Sequence, residues 1–178
     1  ATYFHGLFLE GLGGRDALRE HMARAASTVK EASTKGSRAV VDPGVAEPSA
    51  KLSAFTYQKG AWVLHMLRRT LGDETFFRAL RRYYSAHAGA TATTDGLRHA
   101  LEAASGRDLA PFFRQWLFRP GLPELHVEWS WDQATREAVV ALEQVQDGEP
   151  YELDLDLLFR SGDVAERRTL TLREGKES

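Results

Sequence analysis

The chain of 178 residues contains no cysteine. Disulfide bonds and thiolate metal sites are therefore excluded, and cysteine usage does not select a cellular compartment. No apolar run approaches the ~20 residues that cross a bilayer as a helix, so no membrane segment is expected. An excess of one charge is also lacking, since 23 Lys and Arg face 25 Asp and Glu for a formal net charge of −2. This balance gives no reason to expect binding to nucleic acid or to an anionic membrane.

The start of the chain lacks the features of a signal peptide. Residues 1–12 have neither a basic beginning nor a small-residue cleavage site. Three apolar residues there fall at helical spacing, namely Phe4, Leu7 and Phe8. The glycine pair at 13–14 should end this first helical segment. Because natural proteins seldom begin inside an element, we expect a segment cut from a longer protein.

The composition is that of a globular protein, with 43% apolar and 27% charged residues. Residues 16–35 predict a helix that ends at Gly36, and residues 37–50 predict a loop. The apolar face of this helix consists of Leu18, Met22, Ala25, Ala26 and Val29. A second helix is predicted over residues 55–71 and should be buried, because it is apolar on most sides.

Three more helices are predicted from their capping residues. Asp73 is the expected N-cap of a helix over residues 73–87. Thr93 or Thr94 should cap the next helix, which Gly106 closes, and Asp108 should cap the last one, which ends near residue 118.

The hydrophobic period changes from helical to two after a Pro-Gly-Leu-Pro turn at residues 120–123. Four alternating runs follow, each with one apolar face: 125–131, 138–142, 153–159 and 170–172. Hairpin-linked strands of this kind need a second sheet or a neighbouring domain to cover them. We predict an α+β fold with a helical domain at residues 1–122 and an antiparallel β-sheet domain at residues 123–178.

The histidines do not form a recognisable metal motif. No histidine is followed four residues later by another, so the helical two-histidine zinc motif is absent. His99 and Glu102 are spaced to share one helix face, but a third ligand has no candidate. We interpret His65 as a core histidine with a backbone partner rather than as a ligand. The Arg68-Arg69 pair is interpreted as a solvated helix face or as side-chain stems that lie over apolar surface. From the residues alone, no active site is visible.

A series of segments, taken in order, resembles the aminopeptidase N family of gluzincin metallopeptidases. The segments are Phe-Thr-Tyr-Gln-Lys-Gly-Ala-Trp-Val-Leu at 55–64, Leu-Gly-Asp-Glu-Thr-Phe at 71–76, Ala-Thr-Thr-Asp-Gly-Leu at 92–97, Phe-Phe-Arg-Gln-Trp-Leu at 112–117 and Gly-Leu-Pro at 121–123. Each segment is weakly specific, but their shared order and spacing cover residues 1–125. The resemblance implies the helical lobe of a thermolysin-like catalytic domain, followed by part of a β-sandwich.

In that family a His-Glu-x-x-His helix and a glutamate on the next helix hold zinc. The glutamate lies just before a segment like Ala-Thr-Tyr-Phe at residues 1–4, so the resemblance implies that the zinc ligands lie upstream of Ala1. The general-base glutamate and the segment that reads the free amine of the peptide substrate would also lie upstream. We therefore expect zinc in the full-length parent, none in this chain, and no peptidase activity of the isolated chain.

Tyr57 matches the catalytic tyrosine of the family's Tyr-x-Lys/Glu-Gly pattern. A phenol that keeps its proton at neutral pH can donate a hydrogen bond to the carbonyl oxygen on which negative charge grows during hydrolysis. From the residues alone, a structural tyrosine at the entry of a buried helix is the alternative. We expect Lys59 to pair with an acid or with solvent and Gly60 to permit close helix approach.

The resemblance implies a parent that hydrolyses N-terminal residues from peptides. Two alternatives remain open: a non-catalytic aminopeptidase-like scaffold, and a free-standing helical module for protein interactions. Weak self-association of the chain is also expected, because cutting a catalytic domain would expose an apolar patch.

Overall fold

The computed structural model describes residues 1–47, 49–162, 164–173 and 176–177. Two units are distinguished by their internal contacts, unit 1 at Ala1–Gly121 and unit 2 at Leu122–Ser178. Unit 1 holds the helices and unit 2 holds the strands. The predicted α+β fold class is confirmed.

Helix α1 spans Thr2–Ser33 and is broken at Gly14, whose φ of 73° and ψ of −171° are not helical. Glycine adopts positive φ without the steric cost that a Cβ would bring. The two halves of α1 fold back on one another, because Nε2 of His21 lies 3.1 Å from the carbonyl oxygen of Thr2. A straight helix would separate these residues by about 28 Å. The expected break at the glycine pair is therefore confirmed.

The two halves of α1 approach so closely that Gly6 cannot carry a side chain without a shift of its neighbours. A Cβ at this position would lie 2.9 Å from both Leu18 and His21. The predicted apolar face of residues 16–35 is buried except for Ala26, which is exposed. In the first half of α1, Tyr3 and Gly6 are buried. Of the apolar residues that the sequence analysis found at helical spacing, Phe4 and Phe8 are exposed.

Short helical turns connect α1 to the next helices. A 3₁₀ turn at Ser49–Lys51 is followed by a π-helical turn at Phe55–Lys59, called the π turn below. The π turn runs directly into helix α2, Gly60–Leu71. The predicted helix over residues 55–71 thus exists, but its first turn is wider than an α-helix.

The remaining helices of unit 1 follow the predicted order. Their bounds are α3 at Asp73–His87, α4 at Thr94–Ser105, α5 at Ala110–Phe113 and a second π-helical turn at Arg114–Phe118. Thr93 caps α4 as expected, because its hydroxyl accepts a hydrogen bond of 3.1 Å from the Gly96 N–H. Gly106 ends α4 in the left-handed conformation, with φ of 69°. Asp108 accepts from the Ala110 N–H at 2.9 Å, although Leu109 stands at the N-cap position.

The core of unit 1 is formed by the inner faces of these helices. Its large buried residues include Met22, Val29, Phe55, Val63, Leu67, Phe76, Leu101, Leu109, Phe113, Trp116 and Leu117. In the part of the chain that the structure describes, no helix is both long enough and apolar enough to span a membrane.

The strands of unit 2 are β1 at Leu125–Asp132, β2 at Glu137–Gln144, β3 at Leu153–Ser161, β4 at Val164–Leu172 and β5 at Lys176–Glu177. Among the described residues they form one antiparallel sheet in the order β1-β2-β5 and an antiparallel β3-β4 hairpin. The register of β1 and β2 sets Trp129 opposite Val140 and Trp131 opposite Ala138. The strand β5 was not predicted.

The alternation of β1 does not bury one face. All eight of its residues are exposed, and Trp129 keeps 74% of its surface accessible. The buried residues of unit 2 come from other segments, and include Leu142, Tyr151, Leu153 and Leu172. The period of two correctly predicted a strand, but whether a face is covered depends on what packs against it.

Candidate active site

Tyr57 lies in the middle of the π turn, with buried residues at both ends of that turn. Phe55 is 5% exposed and Lys59 is 3% exposed, whereas Tyr57 keeps 40% of its surface accessible. The Tyr57 hydroxyl makes no hydrogen bond with any residue in the described part of the chain. A phenol held this way has its donor available to a ligand at the surface of unit 1.

The π turn widens the backbone at the tyrosine. The Gly60 N–H donates to the carbonyl oxygen of Phe55, five residues earlier, which is the π-helical spacing. The Tyr57 N–H donates to the Ser53 carbonyl oxygen at 3.0 Å. Single π-helical turns interrupt the regular α-helical geometry and occur frequently at functional sites.

Lys59 is held by backbone carbonyl groups rather than by an acid or by solvent. Its Nζ donates to the carbonyl oxygen of Gly121 at 2.9 Å and to that of Arg119 at 3.1 Å. Burial lowers the pKa of Lys59 to about 8, and the positive charge of Arg119 adds to this effect. The expected pairing of Lys59 with an acid or solvent is therefore wrong.

Gly60 does not mediate a close helix contact. The nearest side-chain atom that a Cβ at Gly60 would meet is Cγ1 of Val40, at an ordinary distance of 3.7 Å. The expectation of close helix approach at this residue is wrong. A Cβ at Gly6, in contrast, would lie 2.9 Å from both Leu18 and His21.

Arg68 on α2, which is itself buried, forms an ion-pair cluster with Glu10 and Asp73. Its guanidinium is bidentate to Glu10, at 2.6 and 3.2 Å, and also bidentate to Asp73, with both distances 2.8 Å. It also lies over the ring of Phe77, 5.1 Å from the centroid. Arg68 is 9% exposed, so of its two interpretations the solvated helix face is wrong.

Asp73 serves this cluster and does not cap α3. The hydrogen bonds from Arg68 hold the pKa of Asp73 below its ordinary value. Gly72 occupies the N-cap position of α3, and no side chain caps it. The predicted N-cap role of Asp73 is wrong because Arg68 engages both carboxylate oxygens.

Tyr3 and His65 extend the cluster between α1 and α2. The Tyr3 hydroxyl lies 3.5 Å from Nδ1 of His65, and their ring centroids are 5.9 Å apart. Burial raises the pKa of Tyr3, an effect that a hydrogen bond from Arg68 opposes. Burial and the charges of Arg69 and Arg68 lower the pKa of His65. His65 is half-buried, and the partner found for it is a side chain rather than the expected backbone group.

The spacing of His99 and Glu102 does not lead to a metal site. Glu102 accepts from Arg98 and from the Leu109 N–H, both at 3.0 Å, so its oxygens are engaged. His99 is exposed, with Nε2 3.0 Å from an Arg98 nitrogen. Within the described ranges, no group of three or more His, Asp or Glu side chains is placed to hold a metal ion. These residues therefore do not fit zinc.

Comparison with known proteins identifies the family. Residues 1–116 match the model of the Peptidase family M1 domain, which is more than half of the chain. The chain belongs to peptidase family M1. The resemblance to the aminopeptidase N family is thereby confirmed, and the M1 match includes the π turn and the Arg68 cluster.

Individual relatives match parts of this M1 chain. It is 42% identical over 76 residues to aminopeptidase N of Lactococcus lactis subsp. lactis, which covers 43% of this chain and 9% of that protein. It is 34% identical over 88 residues to aminopeptidase N of Escherichia coli strain K12, covering 49% of this chain and 10% of that protein. The chain thus spans about a tenth of the length of these curated relatives.

A solved structure shares the fold of the M1 chain. Legionella pneumophila aminopeptidase A, in complex with aspartic acid, is similar with a TM-score of 0.74 and 21% identity. The similarity covers 99% of this chain and 20% of that chain.

The structure also brings together residues that the sequence interpretation did not place near one another. Glu10, Tyr3 and Arg68 meet in one cluster although up to 65 positions separate them (68 − 3). An arginine within a mostly apolar helix was the available signal, because a guanidinium at a buried position needs acidic partners.

Proposed function

We propose that this chain is the helical C-terminal lobe of the catalytic domain of a zinc-dependent aminopeptidase, at residues 1–122, followed by part of a β-sandwich domain at 123–178. The parent protein would hydrolyse N-terminal residues from peptides. The M1 domain match and the relatives named aminopeptidase N support this assignment.

In this proposal Tyr57 is the catalytic residue of the chain. Its phenol donates a hydrogen bond to the carbonyl oxygen of the peptide bond under attack, where negative charge develops. The observation that carries the proposal is the position of Tyr57, exposed in the middle of a π turn whose two ends are buried. Tyr83, by contrast, uses its hydroxyl within the fold, because it donates to the Thr93 carbonyl oxygen at 2.9 Å.

We place the zinc ligands, the general-base glutamate and the segment that reads the substrate amine upstream of Ala1 in the parent, as the family resemblance implies. We assign no step through the metal to the residues of this chain, because their donor set does not fit zinc. The isolated chain should therefore lack peptidase activity.

One exposed apolar surface supports the expectation of weak self-association. Phe4, Phe8 and Leu12 form a stripe with spacing of four along α1, and their exposed fractions are 57%, 63% and 72%. A stripe of this kind is unusual on a protein surface that contacts only water.

The assignment is tested with the full-length protein that contains this chain. We expect it to cleave an aminoacyl p-nitroanilide with a free α-amine and to leave the N-acetylated compound intact. Equal cleavage of both compounds, or of neither, would contradict an aminopeptidase.

The sequence upstream of Ala1 separates the alternatives. A His-Glu-x-x-His motif and a glutamate just before Ala1 support the peptidase. Substituted ligands would favour the non-catalytic scaffold, and a start codon near Ala1 would favour the interaction module.

A further inference from the structure

The ammonium group of Lys59 joins the π turn to the last residues of unit 1. Both of its acceptors are backbone carbonyl groups, at Arg119 and Gly121, and they lie 60 and 62 positions further along the chain. At 3% exposure, the side chain has little contact with water. A buried ammonium group needs such acceptors, because its desolvation is otherwise uncompensated.

The acceptor segment is itself fixed from the other side. The Gly121 N–H donates to the Ser37 hydroxyl at 2.7 Å, and the Val41 N–H donates to the Leu117 carbonyl oxygen at 2.9 Å. Gly121 has φ of 93°, a conformation that directs its carbonyl group and that other residues rarely adopt. The loop after α1 thus fixes residues 117–121, and this segment carries the two carbonyl groups that accept hydrogen bonds from Lys59.

Tyr57 has no comparable anchor of its own. Its side chain is 40% exposed and its hydroxyl makes no hydrogen bond to the described residues, so no hydrogen bond of its own fixes the direction of the ring. Lys59, two residues further along, supplies the side-chain hydrogen bonds found from that turn to a distant part of unit 1.

We infer that Lys59 is a positioning residue for Tyr57, whose ammonium group fixes the π turn against the carbonyl groups of Arg119 and Gly121 so that the phenol points in one direction. This inference rests on the proposed catalytic role of Tyr57. Positioning matters for rate because a displacement of about 1 Å in a catalytic group costs up to about 10²-fold.

The kinetic test is a double-mutant cycle in the full-length protein. Lys59→Met keeps the length of the side chain and removes its donors, and Lys51→Met, at an exposed lysine of the neighbouring 3₁₀ turn, is the matched control. We expect Lys59→Met to lower kcat between about tenfold and 10²-fold with KM nearly unchanged. In a Tyr57→Phe background the same change should lower kcat less than about twofold, because the residue it acts through is already lost.

The cycle has decisive outcomes. Equal losses from Lys59→Met in both backgrounds would show that Lys59 does not act through Tyr57, and would overturn the inference. If Lys59→Met does not fold, Lys59→Gln takes its place, since it keeps an N–H donor on a shorter side chain. Its loss of kcat should be smaller than that of Lys59→Met, and it should again disappear in the Tyr57→Phe background. The Lys51→Met control should keep the kcat of the unmodified protein.

A spectroscopic readout separates this inference from the proposed function. With 3-fluorotyrosine at position 57, we expect one narrow ¹⁹F resonance in the unmodified protein and in Lys51→Met, and a broadened or split resonance in Lys59→Met. An unchanged resonance in Lys59→Met would contradict positioning by Lys59. If Tyr57→Phe left kcat intact, the catalytic role of Tyr57 would fail, while the ¹⁹F result would still decide whether Lys59 orients that ring.

Discussion

The guanidinium of Arg68 and the carboxylate of Glu10 form a bidentate ion pair across 58 positions of sequence, with a shortest distance of 2.6 Å. Both side chains are largely withdrawn from water, at 10% and 19% exposure. The pair joins α2 to the first half of α1. The family resemblance places the last zinc ligand just before the start of that helix. The pair therefore links two helices of unit 1 that are distant in sequence.

Removing the guanidinium should destabilise the chain strongly. Arg68→Met leaves the carboxylate of Glu10 withdrawn from water without its partner, and loss of one member of a buried pair costs on the order of 3 kcal/mol. Arg82→Met, at an exposed arginine of α3, should change the free energy of unfolding by less than about 0.5 kcal/mol. Urea unfolding of the two variants measures the difference. Similar small losses in both variants would show that the cluster contributes little to stability.

The second carboxylate of the cluster should contribute less and only above acidic pH. The Asp73 side chain is 56% exposed, so Asp73→Asn should cost less than about 1 kcal/mol at neutral pH. Because Arg68 holds the folded-state pKa of Asp73 below the ordinary 3.8, this contribution is present above pH 3.8 and is lost as the pH falls through the lowered pKa. Chemical unfolding of both proteins from pH 7 to pH 2 checks this. A difference that grows on acidification would contradict the ion pair.

Lys59 should give the opposite direction of pH dependence. Its folded-state pKa of about 8 lies below the ordinary 10.5, so the unfolded chain binds the proton more tightly in the interval between these values. The free energy of unfolding of the unmodified chain, measured relative to Lys59→Met, should therefore rise between pH 8 and pH 10.5. The comparison with the variant cancels the titration of other groups. A constant or falling difference over this interval would show that burial does not lower the pKa of Lys59.

The isolated chain should neither bind zinc stoichiometrically nor cleave peptides. The proposed zinc ligands lie upstream of Ala1, and the described residues contain no metal-ligand group. Metal analysis of the dialysed chain and an aminoacyl p-nitroanilide assay measure the two properties. One zinc ion per chain after dialysis would overturn the assignment of the ligands to the upstream segment.

The sequence predicted most helix ends because glycine and threonine act locally. Gly14, Gly106 and Thr93 end or begin their helices where expected, since the conformation or the hydroxyl of each is sufficient. Lys59 could not be placed in the same way, because its partners are backbone carbonyl groups, which any residue type carries. The exposure of β1 could not be predicted from the hydrophobic pattern either, because alternation shows which face is apolar but not what covers it.

The residues of the candidate site can also be divided into those that the sequence predicted and those that it did not. Tyr57 was proposed as a site residue from the order of family segments and not from its own chemistry, because an isolated tyrosine before a buried helix is equally consistent with a structural role. The structure adds its exposure, the π turn and the anchor at Lys59. The Arg68 cluster was missed because its acidic partners come from α1 and from the start of α3.

The kinetics of Tyr57→Phe in the full-length protein decide whether Tyr57 is a catalytic residue. The change removes one hydroxyl, so the fold and metal content should be retained, and Tyr84→Phe, at a tyrosine with 76% exposure, is the control. We predict that kcat falls by about 10²-fold to 10³-fold while KM stays nearly the same, because the lost hydrogen bond strengthens only as charge develops on the carbonyl oxygen. A Tyr57→Phe protein that keeps most of its kcat, like the Tyr84→Phe control, would contradict the account and assign Tyr57 to structure.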